Sequence, residues 1–310
     1  MKTLVIGGTG QSGRCLVQML QADGQEVVVV TSGRMPVPAE FDARRVRCVT
    51  LSYTEALQDG SFLALLQQER PDALVDIIQG DSPAIYDACR KAGIAQIVVC
   101  GSVWMFGCPK VVPTPAEPQT ECPFPGYKSR YAAMRAVLAQ ATADGVAFTG
   151  IMPPHICGPG RIPLDGSGGR SLEVHRAHRR GEEVILPEPG TTLFGPCDAE
   201  DVAQGYFLAV KRPESAGEIF NVGSAYSLTI ERFIQTYAAI YGTPIPLRYV
   251  SPEHYAREVS PDQGANFHFL QHMCPDISHT ALRLGYAPRY TPEQTLERGV
   301  RWMFDQGLLP

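Results

Sequence analysis

The sequence has no apolar run long enough to cross a bilayer. Near its start the longest is Val27 to Val30, and Lys2 precedes only Leu4-Val5-Ile6 before glycines begin, against the roughly 20 residues a spanning helix needs. No targeting segment is visible. It also has no CxxC pair, although it carries nine cysteines, an odd number. That excludes the usual thiolate frame of a structural zinc site and reads as reduced thiols without structural disulfides, hence a cytoplasmic protein. Nor is there an excess of positive charge. Twenty-seven Lys and Arg against 32 Asp and Glu leave a net charge of −5, so no global positive field gathers nucleic acid. No internal repeat is present. What remains is a globular composition, 44% hydrophobic and 19% charged over 310 residues, enough for one large domain or two modest ones.

Lys2 to Ile6 is a β-rich run that ends in Gly7-Gly8-Thr9-Gly10-Gln11-Ser12-Gly13, after which Cys15, Leu16, Met19 and Leu20 recur at helical spacing. Gly24 closes that helix, and Glu26 to Thr31 is a second apolar strand, which completes a βαβ unit. The alternation continues with a helix at Phe62–Gln68, a strand at Ala73–Ile78, a helix at Pro83–Ala92 and a strand at Ile97–Cys100. Strands separated by helices predict an α/β fold, a doubly wound parallel sheet. A Pro-rich stretch from Pro109 to Pro125 interrupts the pattern before a helix from about Tyr127 to Ala143 and a strand at Val146–Ile151. Loops this long inside an α/β unit tend to carry function. The sequence then loosens over Gly158 to Gly169, and the expected boundary lies there. Residues 1–158, with segments near 195–223, form the dinucleotide-binding half, and residues 159–310 form a smaller C-terminal α/β substrate region.

Glycines at 7, 10 and 13 allow a tight turn, close approach to a diphosphate, and close packing of helix on strand, while the helix N-terminus offers amides and positive potential. The context, directly after a strand and before a helix, is the one such a fingerprint requires. Gly7, Thr9, Gly10, Gln11, Ser12 and Gly13 are therefore the candidate cofactor contacts. About twenty residues on, where an NAD site offers a carboxylate to the ribose, this chain has Thr31-Ser32-Gly33-Arg34. Ser32 and Arg34 suit a 2′-phosphate, so NADP(H) is expected over NAD(H), with NAD(H) possible as the alternative.

Further motifs are Val98-Val99-Cys100-Gly101-Ser102-Val103-Trp104-Met105-Phe106-Gly107, Ile151-Met152-Pro153-Pro154-His155-Ile156-Cys157-Gly158-Pro159-Gly160, Asp198-Ala199-Glu200-Asp201-Val202-Ala203 and Phe220-Asn221-Val222-Gly223. With the glycine spacing, their order over essentially the full length resembles the extended short-chain dehydrogenase/reductase family, in its NAD-dependent epimerase/dehydratase branch. The resemblance implies a Rossmann-like sheet, a small C-terminal substrate domain, a homodimer formed through helices, and hydride transfer at a secondary alcohol or ketone. It assigns Ser102 to orient the substrate oxygen and Pro153 to the cofactor. The family's Tyr and Lys, four residues apart, exchange the proton and hold the ribose. Here Pro125-Gly126-Tyr127-Lys128-Ser129-Arg130-Tyr131 departs from the pattern. An ungapped match puts Gly126 at the tyrosine and Arg130 at the lysine. An alternative register takes Tyr127 as the acid/base with Arg130 on the same helix face. Arg130 can hold ribose hydroxyls, but it is permanently charged and donates in a planar fork. His155 is the reserve proton carrier, since imidazole titrates near neutrality.

Family members acting on nucleotide-diphosphate sugars place an arginine shortly before the Asp198 motif, where this chain has Phe194, and another in a stretch that here, between Pro261 and Leu282, holds none. A diphosphate demands clustered or bidentate cations, so a smaller polyol, sugar-derived or natural-product substrate is expected. His268, His272 and Cys274, and separately His175 and His178, have ligand-like spacing but lack a full ligand set, so no metal is expected. Arg176, Arg179 and Arg180 read as a solvated helix face. A second reading, from another class, keeps the nucleotide as a structural or sensing ligand and binds a partner or RNA; the net charge opposes the RNA version.

Overall fold

A strand with hydrogen-bonded neighbours on both sides and helices over both faces must be apolar throughout, and β1 (Lys2–Ile6) is: Leu4, Val5 and Ile6 are sealed from solvent and Thr3 with them. The computed structural model describes all 310 residues. Around β1 run β2 (Glu26–Thr31), β3 (Val46–Thr50), β4 (Ala73–Asp76), β5 (Gln96–Cys100), β6 (Ala147–Met152) and β7 (Ile219–Asn221). They form one parallel sheet in the order β3-β2-β1-β4-β5-β6-β7. The order reverses between β1 and β4, which opens a crevice at the strands' carboxyl ends, the place where doubly wound sheets take ligands.

Helices α1 (Gln11–Ala22), α2 (Tyr53–Asp59), α3 (Ser61–Glu69), α4 (Ser82–Ala92), α5 (Pro125–Asp144), α6 (Leu172–Arg179), α7 (Ala199–Lys211), α8 (Ile230–Tyr241), α9 (Gln263–Leu270), α10 (Ser278–Leu284) and α11 (Pro292–Asp305) complete the chain's main helices. On one face of the sheet Phe62, Ile85, Cys89, Met134 and Val137 bring in α3, α4 and α5. On the other, Leu16, Val17, Val202 and Tyr206 bring in α1 and α7. A third core of Phe194, Phe233, Ile234, Tyr237, Phe269, Leu296 and Val300 belongs to the C-terminal region. No helix is long and apolar enough to cross a membrane.

Three local outcomes differ from the pattern reading. Strand β3 and helix α2 carry no signal strong enough to announce them. β3 is an edge strand with only Val46 buried, so Arg47 and Thr50 break its apolar run. The strand expected over Ala73–Ile78 stops at Asp76, whose buried carboxylate accepts the Ile78 amide at 3.0 Å and the Gly80 amide at 2.7 Å and turns the chain out of the sheet. The helix expected from Tyr127 starts earlier, at Pro125, since proline suits a first helical turn. The Pro-rich loop before it is stapled to the C-terminal region: Thr114 donates to the Cys274 carbonyl at 2.7 Å, and Asn221 Nδ2 donates to the Thr114 carbonyl at 2.9 Å.

Candidate active site

The glycine turn links β1 to α1. Gly7 has φ +84°, and a Cβ there would lie 2.5 Å from Ile78 Cγ2. A Cβ on Gly13 would lie 2.2 Å from the Gly7 carbonyl oxygen, so helix and turn touch backbone to backbone. Gly10 caps α1 without any side-chain hydrogen bond, which leaves the first-turn amides open to an anion. These features fit a dinucleotide's pyrophosphate. Around the turn, Thr9 Oγ1 meets Thr31 Oγ1 at 3.1 Å, and Thr31 Oγ1 accepts the Gly33 amide at 3.2 Å, which fixes the exit of β2. Ser12 is buried in the first turn of α1. The Gln11 side chain is committed elsewhere: its Nε2 donates to the carbonyls of Cys157 at 3.1 Å and Gly158 at 3.0 Å, leaving its backbone amide for a ligand. Ser32 and Arg34 stand exposed beyond β2, Arg34 without an ion pair.

Next to the turn lies a cleft of about 600 Å³. Ile77, which neighbours Gly7 of the turn, lines it together with Gln79, Cys100, Ser102, Trp104, Phe124, Tyr127, Pro153 and His155. Ser102 follows β5 as the cap of a short 3-10 turn, Val103–Phe106. Its Oγ accepts the Trp104 amide at 3.3 Å, and its own O–H stays free to donate. Tyr127 sits in the first turn of α5, half-buried, its ring edge-on to Phe124 at 6.1 Å. Pro153 is buried at the end of β6, its carbonyl accepting the Val103 amide at 3.3 Å. His155 is 3% exposed and stacks on Phe194 at 4.2 Å, and neither ring nitrogen has a partner.

Arg130 is not in this cleft. It is exposed, without a hydrogen bond or ion pair, and lines a neighbouring cleft with Tyr53, Gln79, Asp81 and Ser82. Gln79, with φ +56° and its Nε2 donating to the Gly101 carbonyl at 2.9 Å, stands between the two. Gly126 is exposed, with open space where a side chain would stand.

Pattern reading missed several groups here. Trp104, Phe124, Arg161, Arg170 and Asp262 all line the cleft, and no periodicity announces them, because they come from separated loops. His268, noted above only for its spacing to His272 and Cys274, lines the cleft as well, whereas His272 Nδ1 accepts the Leu193 amide at 3.0 Å. His175 meets Tyr241 Oη and the Pro163 carbonyl at 3.0 Å each, and His178 Nε2 accepts the Gly166 amide at 3.0 Å. Arg176 and Arg180 pair with Glu173 and Glu182, while Arg179 reaches the Pro310 carbonyl, so this face ties down the C-terminus.

Burial dominates the electrostatics. It raises the Tyr127 pKa, against a lowering by Arg130, so the phenol is held protonated. It pushes His268 down to about 3 and His178 down to about 4. It raises Asp76 and Asp201 to about 6. The histidines have folded pKa values below their unfolded ones, so their contribution to stability is full above about pH 6.5 and is lost as pH falls. The two aspartates act oppositely, contributing below about pH 4 and losing that contribution as pH rises through about 6. His268→Phe should therefore melt with a weaker acid dependence than the unmodified chain between about pH 6.5 and 4.5. Equal slopes in thermal unfolding across that range would contradict a neutral His268.

The model of the NAD dependent epimerase/dehydratase family matches residues 3–85 and 81–223. The chain belongs to that family. It is 26% identical over 277 residues to a UDP-glucose 4-epimerase of Streptomyces lividans, covering 79% of this chain and 82% of that one. It is 29% identical over 328 residues to a 2'-dehydrokanamycin reductase of Streptomyces kanamyceticus, covering 99% and 86%. The solved structure of a UDP-glucose-4-epimerase from Stenotrophomonas maltophila, with bound NAD and formylated UDP-arabinopyranose, superposes with a TM-score of 0.76 at 18% identity over 99% of both chains. The family and the relatives' activities make the chain an enzyme of the NAD-dependent oxidoreductase and epimerase class.

Proposed function

We propose that the protein transfers hydride between a nicotinamide dinucleotide, NADP(H) in preference to NAD(H), and a secondary alcohol or ketone of a small polyol-, sugar-derived or natural-product substrate. The observation that carries this reading is that Ser102, Tyr127 and Pro153 line one cleft with Ile77, and Ile77 neighbours Gly7 of the glycine turn. Residues 1–158, with α7 and β7, hold the cofactor in this reading, and residues 159–310 read the substrate. The amides of the turn hold the pyrophosphate, and Arg34 and Ser32 meet the 2′-phosphate. When bound, the dinucleotide supplies or takes the hydride. Ser102 donates its O–H to the substrate oxygen and fixes its position. Tyr127, kept protonated by its burial, delivers a proton to that oxygen during reduction. His155, expected as a reserve carrier because imidazole titrates near neutrality, does not serve, since both its ring nitrogens are sealed and burial holds its pKa well below that range. Arg130 serves the ribose from the adjoining cleft. In α5, only Met134, Val137, Leu138 and Ala141 are buried, which leaves a long face for a homodimer contact. Nothing in the cleft favours the partner- or RNA-binding alternative.

The decisive experiment denatures the purified protein and identifies any released nucleotide by mass and quantity. Near-stoichiometric NAD would mean a cofactor recycled within each turnover, as in an epimerase, and would overturn the NADP(H) preference. An empty site that takes NADPH from solution supports a reductase, and one that takes neither defeats the reading. Arg34→Ala should weaken NADPH binding by about tenfold or more, the worth of one charge-assisted hydrogen bond, while NADH binding stays within a few-fold. Equal losses for both in a fluorescence titration would remove Arg34 from the 2′-phosphate.

A further inference from the structure

The wall of the cleft contributed by α9 is an aromatic stack with one open polar edge. His268 stands 4.5 Å from Trp104 at 67° and 4.5 Å from His155 at 26°, and His155 stacks in turn on Phe194 at 4.2 Å and 22°. Packed between these rings, the His268 side chain has no freedom to turn away. Its Nδ1 is sealed without a partner, as are both nitrogens of His155, which leaves Nε2 as the ring nitrogen open to the cleft. The sealed Nδ1 has nothing to bond, so Nε2 is the one nitrogen through which this ring can reach a ligand oxygen, and the packing around the ring fixes where that nitrogen points.

We propose that the cleft binds a neutral cyclic polyol or sugar, its ring against the Trp104–His268 pair and one of its hydroxyls bonded to His268 Nε2. The proposal rests on the reading of this cleft as the substrate site and narrows it. The Trp104 ring is itself packed on Phe124 and Phe267 and only 8% exposed, so the rings form a rigid apolar wall against which the C–H-rich side of a sugar can rest, with a few polar edges to set its orientation. His268 serves as a neutral group, because burial holds it uncharged far below physiological pH.

The cations present do not suit a diphosphate. The Arg170 guanidinium gives two of its five N–H groups to backbone carbonyls, those of Ile162 at 2.7 Å and Ile156 at 2.6 Å, which fix its position. Arg161 alone is left without a partner, and Asp262 lines the same cleft. Phe194, where the family resemblance implies an arginine in members acting on nucleotide-diphosphate sugars, is completely buried among Phe233, Phe269 and His155. Arg161 and Arg170 against Asp262 leave the cleft one net positive charge, and with Arg170 tied to backbone carbonyls this is short of the clustered or forked donors that a diphosphate calls for.

The chain has two tryptophans, so in a Trp302→Phe background the emission of Trp104 alone reports what occupies the cleft. That variant is titrated with methyl β-glucopyranoside, myo-inositol, UDP-glucose and UDP, with and without NADP⁺. The expected result is saturable change with a neutral probe, UDP-glucose binding no tighter than the glycoside, and no response to UDP. Adding His268→Phe, which keeps the ring and removes both nitrogens, should weaken the neutral probe by about three- to tenfold. His268→Gln, which returns a donor, should recover part of that loss and so separates the nitrogen from the packing. UDP-glucose binding about tenfold or more tighter than the glycoside, unchanged affinity in His268→Phe, or silence with both neutral probes overturns the proposal. Failure of the enzyme reading shows separately, as no binding of NADP⁺ or NAD⁺ while the sugar response persists.

Discussion

Tyr127→Phe should abolish turnover while leaving cofactor affinity in place. A positioned proton donor contributes about 10²- to 10⁴-fold in rate, and the substitution removes only the hydroxyl, so kcat should fall by about that factor. The ring's packing against Phe124 survives, and none of the turn residues is touched. The environment of Tyr127 also sets the direction of its chemistry. Desolvation raises its pKa, Arg130 lowers it, and Cys100 and Cys122 raise it, so the phenol is poised to give a proton, as carbonyl reduction requires. Reduction of a small diketone probe by NADPH should therefore hold up on the alkaline side until Tyr127 ionises, above the ordinary tyrosine value of about 10. In Tyr127→Phe the residual rate should lose that limb. An undiminished rate would remove Tyr127 from the mechanism.

What was legible in the sequence was what a backbone imposes locally. Gly7 and Gly13 announce the turn because the chain at Gly7 takes a positive φ and a Cβ on Gly13 would strike the Gly7 carbonyl oxygen, and buried parallel strands announce themselves as unbroken apolar runs. Ser102 was legible for a similar reason, since it sits at a fixed place between a strand end and a turn. The relation of Tyr127 to Arg130 was not. Residues three apart on a helix differ by about 60° in direction, and at the first turn of α5 that rotation carries Arg130 out of the Ser102 cleft and into the next one. The end of β4 was hidden too, because Ile77 and Ile78 continue the apolar run while the Asp76 carboxylate turns the chain. His268 was visible only as a spacing. Its place depends on α9 packing against the loop that carries Trp104, a contact between residues 164 positions apart that no local pattern encodes.

Gly13→Ala should damage the cofactor site far more than a methyl added at Gly10. Its Cβ would lie 2.2 Å from the Gly7 carbonyl oxygen and 2.8 Å from Gly8 Cα, both backbone atoms that no side-chain rotation can move aside. At Gly10 the nearest atom is the same carbonyl oxygen at 3.3 Å, which a shift of a few tenths of an ångström relieves. Within the helix alanine is favoured over glycine by about 1 kcal/mol, but overpacking of this kind costs about 1–3 kcal/mol, so the clash wins at position 13. Gly10 is the cap and not a helical residue, so there only a slight crowding and a weaker cap are at stake. To escape the clash, α1 must slide away from β1 and take its first-turn amides with it. Losing one amide bond to a charged oxygen weakens binding by about 10- to 100-fold, so NADPH affinity in Gly13→Ala should fall by at least that range, with a lower melting temperature. Gly10→Ala should lose far less of both. The two variants, titrated with NADPH and melted side by side, separate a turn that holds pyrophosphate from one that merely joins strand to helix. In the second case Gly13→Ala would lower the melting temperature and leave NADPH binding as it was.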